Sequence, residues 1–280
     1  MKGIDHLVLC GRLLAAMREA YAKLGFTLTP SAMHPFGTKN SLVQLDRVFL
    51  ELLSIDDPDK IPEHGPRDFS FAAFNRDFLE RREGFSMLVL DSADARADIA
   101  KYRASGLRTY ELFEFSRRAK LAGGEEATVG FSLAFVSCPQ MPLGGFFTCQ
   151  QQAPQHFWQE AYQQHVNRAL TVTEVAIVAE HPRELKAFLE GFTGARSETS
   201  GEGFRIKTVR GDISVQTSVD FERSYGVASP ELSDGPRFGG YAVGLQDRGP
   251  RGDLAGRTVN LFGTAVRFET LPVAGQGQRR

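Results

Sequence analysis

The chain has 280 residues, 33 Lys plus Arg against 34 Asp plus Glu, and a hydrophobic fraction of 42%. That is enough apolar chain for a sizeable core in one or two domains, and the near-zero net charge leaves no field to draw it onto nucleic acid or an anionic membrane. No apolar run reaches bilayer length, no signal peptide is expected from the first residues, and three scattered cysteines (Cys10, Cys138, Cys149) lack any CxxC spacing, so a cytoplasmic protein with reduced thiols is expected.

The first element is an apolar strand, Ile4-Asp5-His6-Leu7-Val8-Leu9. A helix follows, with Leu13, Met17, Ala20, Tyr21 and Leu24 at i, i+3 and i+4 spacing. Gly25 stops it where a left-handed residue costs least. Phe26 to Thr29, Ser41 to Leu45 and Val48 to Leu53 then read as strands. Asp56 to Glu83 begins as a polar loop, and Phe71 to Phe78 predicts a short helix. The pattern returns as a strand over Phe85 to Leu90, a helix from Ala93 to Ala104, Gly106, and strands over Leu107 to Phe115, Ala127 to Val136 and Gly145 to Gln150.

Ala153 to Arg168 reads as a linker. A third copy has a strand over Glu174 to Val178, a helix starting near Pro182 with Leu185, Phe188 and Leu189, a stop at Gly191, and strands over Phe204 to Val209 and Asp212 to Thr217. An abbreviated fourth uses Tyr241 to Leu245, Thr258 to Phe262 and Ala265 to Phe268, with a Gly- and Arg-rich loop over Asp247 to Gly256. The tail beyond Pro272 is expected to be disordered. The recurrence predicts an α+β chain of tandem βαβββ modules.

Two side chains stand out on these strands. In strand 4–9, Ile4, His6 and Val8 are expected on one face; in strand 48–53, Phe49, Glu51 and Leu53 are. A carboxylate within Val-Phe-Leu-Glu-Leu-Leu is costly to bury unless it meets a cation, a metal or hydrogen-bond donors. One reading is a half-site for Zn, Fe, Mn or Ni. The other is a His–Glu hydrogen bond lining a metal-free pocket. In the second copy Met87 stands where His6 does, and Cys149, Gln150 and Gln151 stand near the place of Glu51. A catalytic metal takes about three protein ligands, and Gln150, Gln151, His34 and His165 are the candidates for a third.

His34, ahead of Pro35, is either a solvated loop residue or a general acid/base at a pocket mouth. Thr38 and Asn40 are donors for a ligand carbonyl or caps for the turn. Arg117 is an anion clamp or a surface partner of Glu111 or Glu114. Phe49 and Phe147 are expected pocket walls. Glu174 and Glu269 read as structural, paired with Arg205 or Arg267, and His64, His156 and His181 as exposed. No phosphate-binding Gly loop, Gly-x-Ser-x-Gly or zincin helix is present.

The segment Gly3 to Leu9 resembles the first strand of the glyoxalase, bleomycin-resistance and extradiol-dioxygenase (vicinal oxygen chelate) superfamily. The runs His34-Pro35-Phe36-Gly37-Thr38-Lys39-Asn40, Phe49-Leu50-Glu51-Leu52, Phe115-Ser116-Arg117, Phe146 to Gln151 and Gln164-His165-Val166-Asn167 resemble its glyoxalase-like branch. The resemblance implies cupped mixed sheets whose paired modules enclose a pocket. It divides the chain into a first domain over 1–152, a linker over 153–168, a degenerate second domain over 169–272 and a tail over 273–280. It also implies a metal on His6 and Glu51, with a lyase, isomerase or dioxygenase reaction on a small oxygenated or aromatic molecule. The alternative is a metal-free protein that sequesters such a ligand. The second half then supports the first, with a homodimer as one route.

Overall fold

A computed structural model of the chain describes residues 1–120, 124–247 and 254–272. The first unit is β1 (Ile4–Cys10), α1 (Leu14–Lys23), β2 (Ala32–Met33), β3 (Thr38–Gln44) and β4 (Phe49–Ile55), followed by α2 (Phe71–Arg81). The second is β5 (Gly84–Asp91), α3 (Ala95–Ala104), β6 (Arg108–Thr109), β7 (Phe113–Lys120), β8 (Glu126–Ser137) and β9 (Gly145–Gln151). A short α4 (Pro154–Phe157) leads to β10 (Ala169–Val178), α5 (Lys186–Thr193), β11 (Ser197–Ser200), β12 (Gly203–Lys207), β13 (Asp212–Gln216) and α6 (Ser218–Tyr225). The last strands are β14 (Arg237–Leu245), β15 (Thr258–Leu261) and β16 (Thr264–Thr270).

These strands make two mixed sheets. One runs β2-β3-β4-β1-β5-β9-β8-β6 with β7 on β8, the other β11-β12-β13-β10-β14-β16-β15. In each unit the first strand lies parallel to the last: β1 to β4, β5 to β9, β10 to β13, β14 to β16. A parallel pair needs a crossover, which α1, α3 and α5 supply. Paired units join antiparallel through their first strands, β1 to β5 and β10 to β14. This is the α+β architecture of paired modules that the repeat predicts.

Strand alternation then gives the first sheet two unlike faces. Leu7, Leu9, Leu50, Leu52, Leu88 and Leu90 share a core with Val175, Ile177, Tyr241, Val243 and Phe268 of the second sheet. Phe85 stacks on Phe238 at 4.2 Å across this seam, and the Tyr21 and Tyr241 hydroxyls meet at 2.9 Å. The second sheet therefore covers the back of the first. Val8, Cys10, Phe49, Leu53, Met87, Val89 and Phe147 form the opposite face, against α2. Ser70 caps α2, its hydroxyl accepting from Ala73 N at 3.1 Å.

Several expectations change. Phe26 to Thr29 is not a strand: Thr27 N donates to His165 Nδ1 (3.0 Å) and its hydroxyl to the Gln164 carbonyl (2.5 Å), so the linker takes the groups a neighbouring strand would use. Gly191 lies inside α5, and Gly194, with φ +69°, ends that helix. The linker is folded, with Phe157 buried. Helix α6 was not expected; Thr217 caps it by accepting from Asp220 N at 3.2 Å, and Phe221 and Tyr225 pack on Ala176, Val178 and Ala265. Most of the Asp247 to Gly256 loop and all of the 273–280 tail lie outside the described residues. Among the described residues no helix is long and apolar enough to cross a membrane.

Candidate functional site

Parallel pairing sets His6 beside Phe49 and Val8 beside Glu51, so His6 and Glu51 project from one face. His6 Nε2 lies 3.7 Å from Glu51 Oε2. Each residue is only 5% exposed, so whatever meets these polar atoms must come from the protein or a ligand. The His6 ring stacks on Phe49 at 4.3 Å.

A register shift between Ile4 and His6 interrupts the alternation of β1. Ile4 consequently packs with Leu7 and Leu9, away from the face of Val8 where it was expected. The shift also brings in Asp5, whose Oδ1 sits 2.6 Å from His6 Nδ1. Gln151 Nε2 donates to the other Asp5 oxygen at 3.2 Å. A carboxylate on one ring nitrogen fixes the orientation of an imidazole and turns its other nitrogen toward the site.

On the far side of Glu51, Asn40 Nδ2 donates to Oε1 at 2.6 Å and lies 3.3 Å from His34 Nε2. The amide orientation is forced, because turning it would press Oδ1 against a carboxylate oxygen. With Nδ2 facing it, His34 Nε2 is an acceptor, and Nδ1 carries the hydrogen donated to Thr38 Oγ1 at 2.8 Å. Burial pushes the His34 pKa down to about 3, and Arg117 and His6 beside it push the same way. His34 is thus a neutral imidazole in ordinary buffer.

Arg117 enters from the second unit on β7 and turns inward. The surface partners expected for it are engaged elsewhere, Glu111 with Arg67 and Glu114 with Arg96 and Ser132. Arg117 Nε is buried without a hydrogen-bond partner. Desolvation lowers the hold of this guanidinium on its proton, and the charge of Glu51 opposes the shift.

These groups open onto one narrow pocket with about 40 Å³ of free interior. Seven phenylalanines (36, 49, 71, 115, 131, 147 and 157) form most of its wall with Leu42, Leu133 and Cys149, so its occupant must be largely apolar. His6, His34, Asn40, Phe49, Glu51, Arg117 and Phe147 meet there. Thr38 stands behind His34 and holds it. Gln150 does not reach the pocket: strand alternation turns it to the other face, where Oε1 accepts from Ala95 N at the start of α3 (3.1 Å). His165 also lies elsewhere, bonded to the Gln44 carbonyl at 2.8 Å. His156, expected to be exposed, is half-buried. Sequence reasoning missed Asp5, which strict alternation assigns to the opposite face, and the pocket-lining roles of Phe36, Phe71, Phe131 and Phe157.

A glyoxalase-like domain family matches residues 4–193, more than half of the chain. The chain belongs to this family. It is a glyoxalase-like protein of the vicinal oxygen chelate superfamily. No curated protein matches its sequence. Among solved structures, a hypothetical protein from Staphylococcus aureus shares the fold over 97% of this chain and 100% of its own, with a TM-score of 0.72 and 12% identity. A variant of 4-hydroxymandelate synthase from Streptomyces coelicolor aligns over 88% of this chain and 71% of its own, with a TM-score of 0.50 and 16% identity. A xylose isomerase-like TIM barrel/4-hydroxyphenylpyruvate dioxygenase fusion protein aligns over 88% of this chain and 37% of its own, with a TM-score of 0.51 and 13% identity. At such identities the likeness concerns the fold alone.

The glyoxalase-like resemblance places metal ligands on the first and last strands of each unit. Here those positions hold His6 and Glu51 in one unit; in the other, Met87 lies opposite Gly145 and Val89 opposite Phe147, so Met87 and Phe147 take them. That pair is unsuited to a hard cation: Met87 offers a thioether and Phe147 no donor, and burial, reinforced by Asp5 and Glu51, pushes the nearby Cys149 thiol well above its usual pKa. Asn40 Nδ2 also points its hydrogens at Glu51 Oε1 and toward His34 Nε2, lone pairs an ion would need. Among the described residues, no three His, Cys, Asp or Glu side chains are grouped to hold an ion. The donor set therefore does not fit the divalent metal that the resemblance implies. The corresponding place in the second sheet is filled by ion pairs, Glu174 meeting Arg205 at 2.7 Å, Arg267 at 3.8 Å and the Tyr225 hydroxyl at 3.3 Å.

Proposed function

We propose that the first module pair is a glyoxalase-like enzyme site that moves a proton on one small oxygenated or aromatic molecule, using its own side chains. The reading rests on one observation: a buried carboxylate, Glu51, and an unpartnered buried guanidinium nitrogen, Arg117 Nε, open onto the same apolar pocket. Desolvated ionisable groups of this kind are kept where chemistry needs them.

Glu51 Oε2 has His6 Nε2 as its neighbour at 3.7 Å and is the oxygen free to accept a proton from a carbon beside a carbonyl. The electron pair of that C–H bond passes to the carbonyl oxygen, and Arg117 stabilises the charge gathering there. Return of the proton from Glu51 completes an isomerisation or exchange with no other reactant. Asp5 holds His6 in place, and His34, neutral and fixed by Thr38, donates no proton to the ligand. The phenylalanine wall also suits a second reading, a protein that sequesters the ligand without reaction.

The test uses one-ring aryl carbonyl compounds in D2O, with deuterium uptake beside the carbonyl followed by NMR. Uptake with the wild-type protein that Glu51→Gln lowers by about 10²–10⁴-fold supports the proposal. Equal uptake by both proteins overturns it, and tight binding without uptake supports sequestration.

A further inference from the structure

Arg117 and Asn40 also line a second space. A chamber of about 330 Å³ adjoins the phenylalanine pocket and shares Asn40, Leu42, Arg117 and Phe157 with it. Its outer wall is mixed, polar at Gln44, His156, Tyr162 and Arg118 and apolar at Pro30 and Met33. The folded linker builds one side of that wall, held down where Gln44 Nε2 donates to the Phe157 carbonyl at 2.7 Å.

The neck between the two spaces carries two complementary unsatisfied atoms. Arg117 Nε is a buried donor without an acceptor, and Asn40 Oδ1 is a buried acceptor without a donor, on a residue only 3% exposed. They come from β7 and β3, strands of different units. A trans secondary amide presents one C=O and one N–H in opposite directions. A group seated at this neck with that pair would satisfy both atoms, and the charged donor strengthens the carbonyl contact.

We propose that the ligand is an elongated secondary amide. An apolar aryl or alkyl acyl group fills the inner pocket, the amide sits between Arg117 and Asn40, and a polar carrier occupies the outer chamber. This rests on the inner pocket being a small-molecule site.

Calorimetric titration of the wild-type protein tests it with four probes: N-phenylacetylglutamine, its ester analogue lacking the N–H, its N-methyl analogue, and phenylacetate. The amide is expected to bind about tenfold or more tightly than each of the other three, because each leaves one neck atom unpaired or the outer chamber unfilled. Arg117→Met is expected to weaken amide and ester alike. Phenylacetate binding as tightly as the amide overturns the two-chamber ligand and leaves the inner pocket standing. An ester or N-methyl analogue equal to the amide overturns the role of Asn40 Oδ1, and with it the amide. If no probe binds and 1-anilinonaphthalene-8-sulfonate gives no pocket signal, both the two-chamber ligand and the small-molecule site fall.

Discussion

Replacing His34 with glutamine should change how stability depends on pH, and the size of the change follows from its surroundings. His34 is 8% exposed, stacked on Phe36 at 4.9 Å and edge-on to Phe115 at 5.6 Å. Burial drops its pKa from 6.5 to about 3 in the folded protein, while the unfolded chain keeps the ordinary value. Between those two values the unfolded state binds more protons. Stability therefore rises with pH through this window and levels off above the unfolded pKa. The slope approaches about 1.4 kcal/mol per pH unit, so acidification from neutrality costs a few kcal/mol through this residue alone.

The assay is urea unfolding of wild type and His34→Gln at intervals from about pH 4 to pH 8. His165 is also shifted down by burial, so the readout is the difference between the two proteins. The variant should lose part of the acid-side slope and match wild type in shape above neutrality. Parallel curves would refute the argument, as would a His34 ring proton titrating near the free-imidazole value.

Three further outcomes follow. Asp5→Asn removes the anionic partner of His6 Nδ1, 2.6 Å away; the deuterium-exchange rate should fall and its pH profile shift while ligand affinity changes little, as befits a positioning residue. Phe85→Ala removes the ring stacked on Phe238 and should cost about 3–5 kcal/mol in thermal or urea unfolding, with both halves melting together; an unchanged midpoint would show that the seam does not couple them. Glu174→Gln breaks the pairing with Arg205 and should lower stability by about 1–3 kcal/mol with exchange activity intact; lost activity would assign the second sheet a part in the chemistry.

The fold was legible because each of the first three units announces itself: an apolar strand, a helix of regular spacing and a glycine, with β-rich runs behind. Period-two alternation likewise assigned His6 and Glu51 to single faces of their strands. Alternation fails where it is interrupted. One register shift put Asp5 beside His6 and moved Ile4 to the seam, and nothing in Ile4-Asp5-His6 signals it. Gln150 and Gln151 are chemically alike, and only the phase of β9 decides that one caps α3 and the other reaches Asp5. Arg117 follows Phe113 and Phe115 on the inward face of β7 by plain alternation, a signal that its charge masked. Helix α6 did carry a signal: Thr217 followed three residues later by Asp220 is a capping pattern.

The central claim is that this pocket moves a proton with Glu51 and Arg117 while its donor set leaves no place for a divalent ion. The most direct check is metal analysis paired with the deuterium-exchange assay on chelator-washed protein. The account predicts metal far below one ion per chain and an undiminished exchange rate. Exchange lost on washing and restored by Zn, Fe, Mn or Ni, with the ion removed again by His6→Ala, would contradict it.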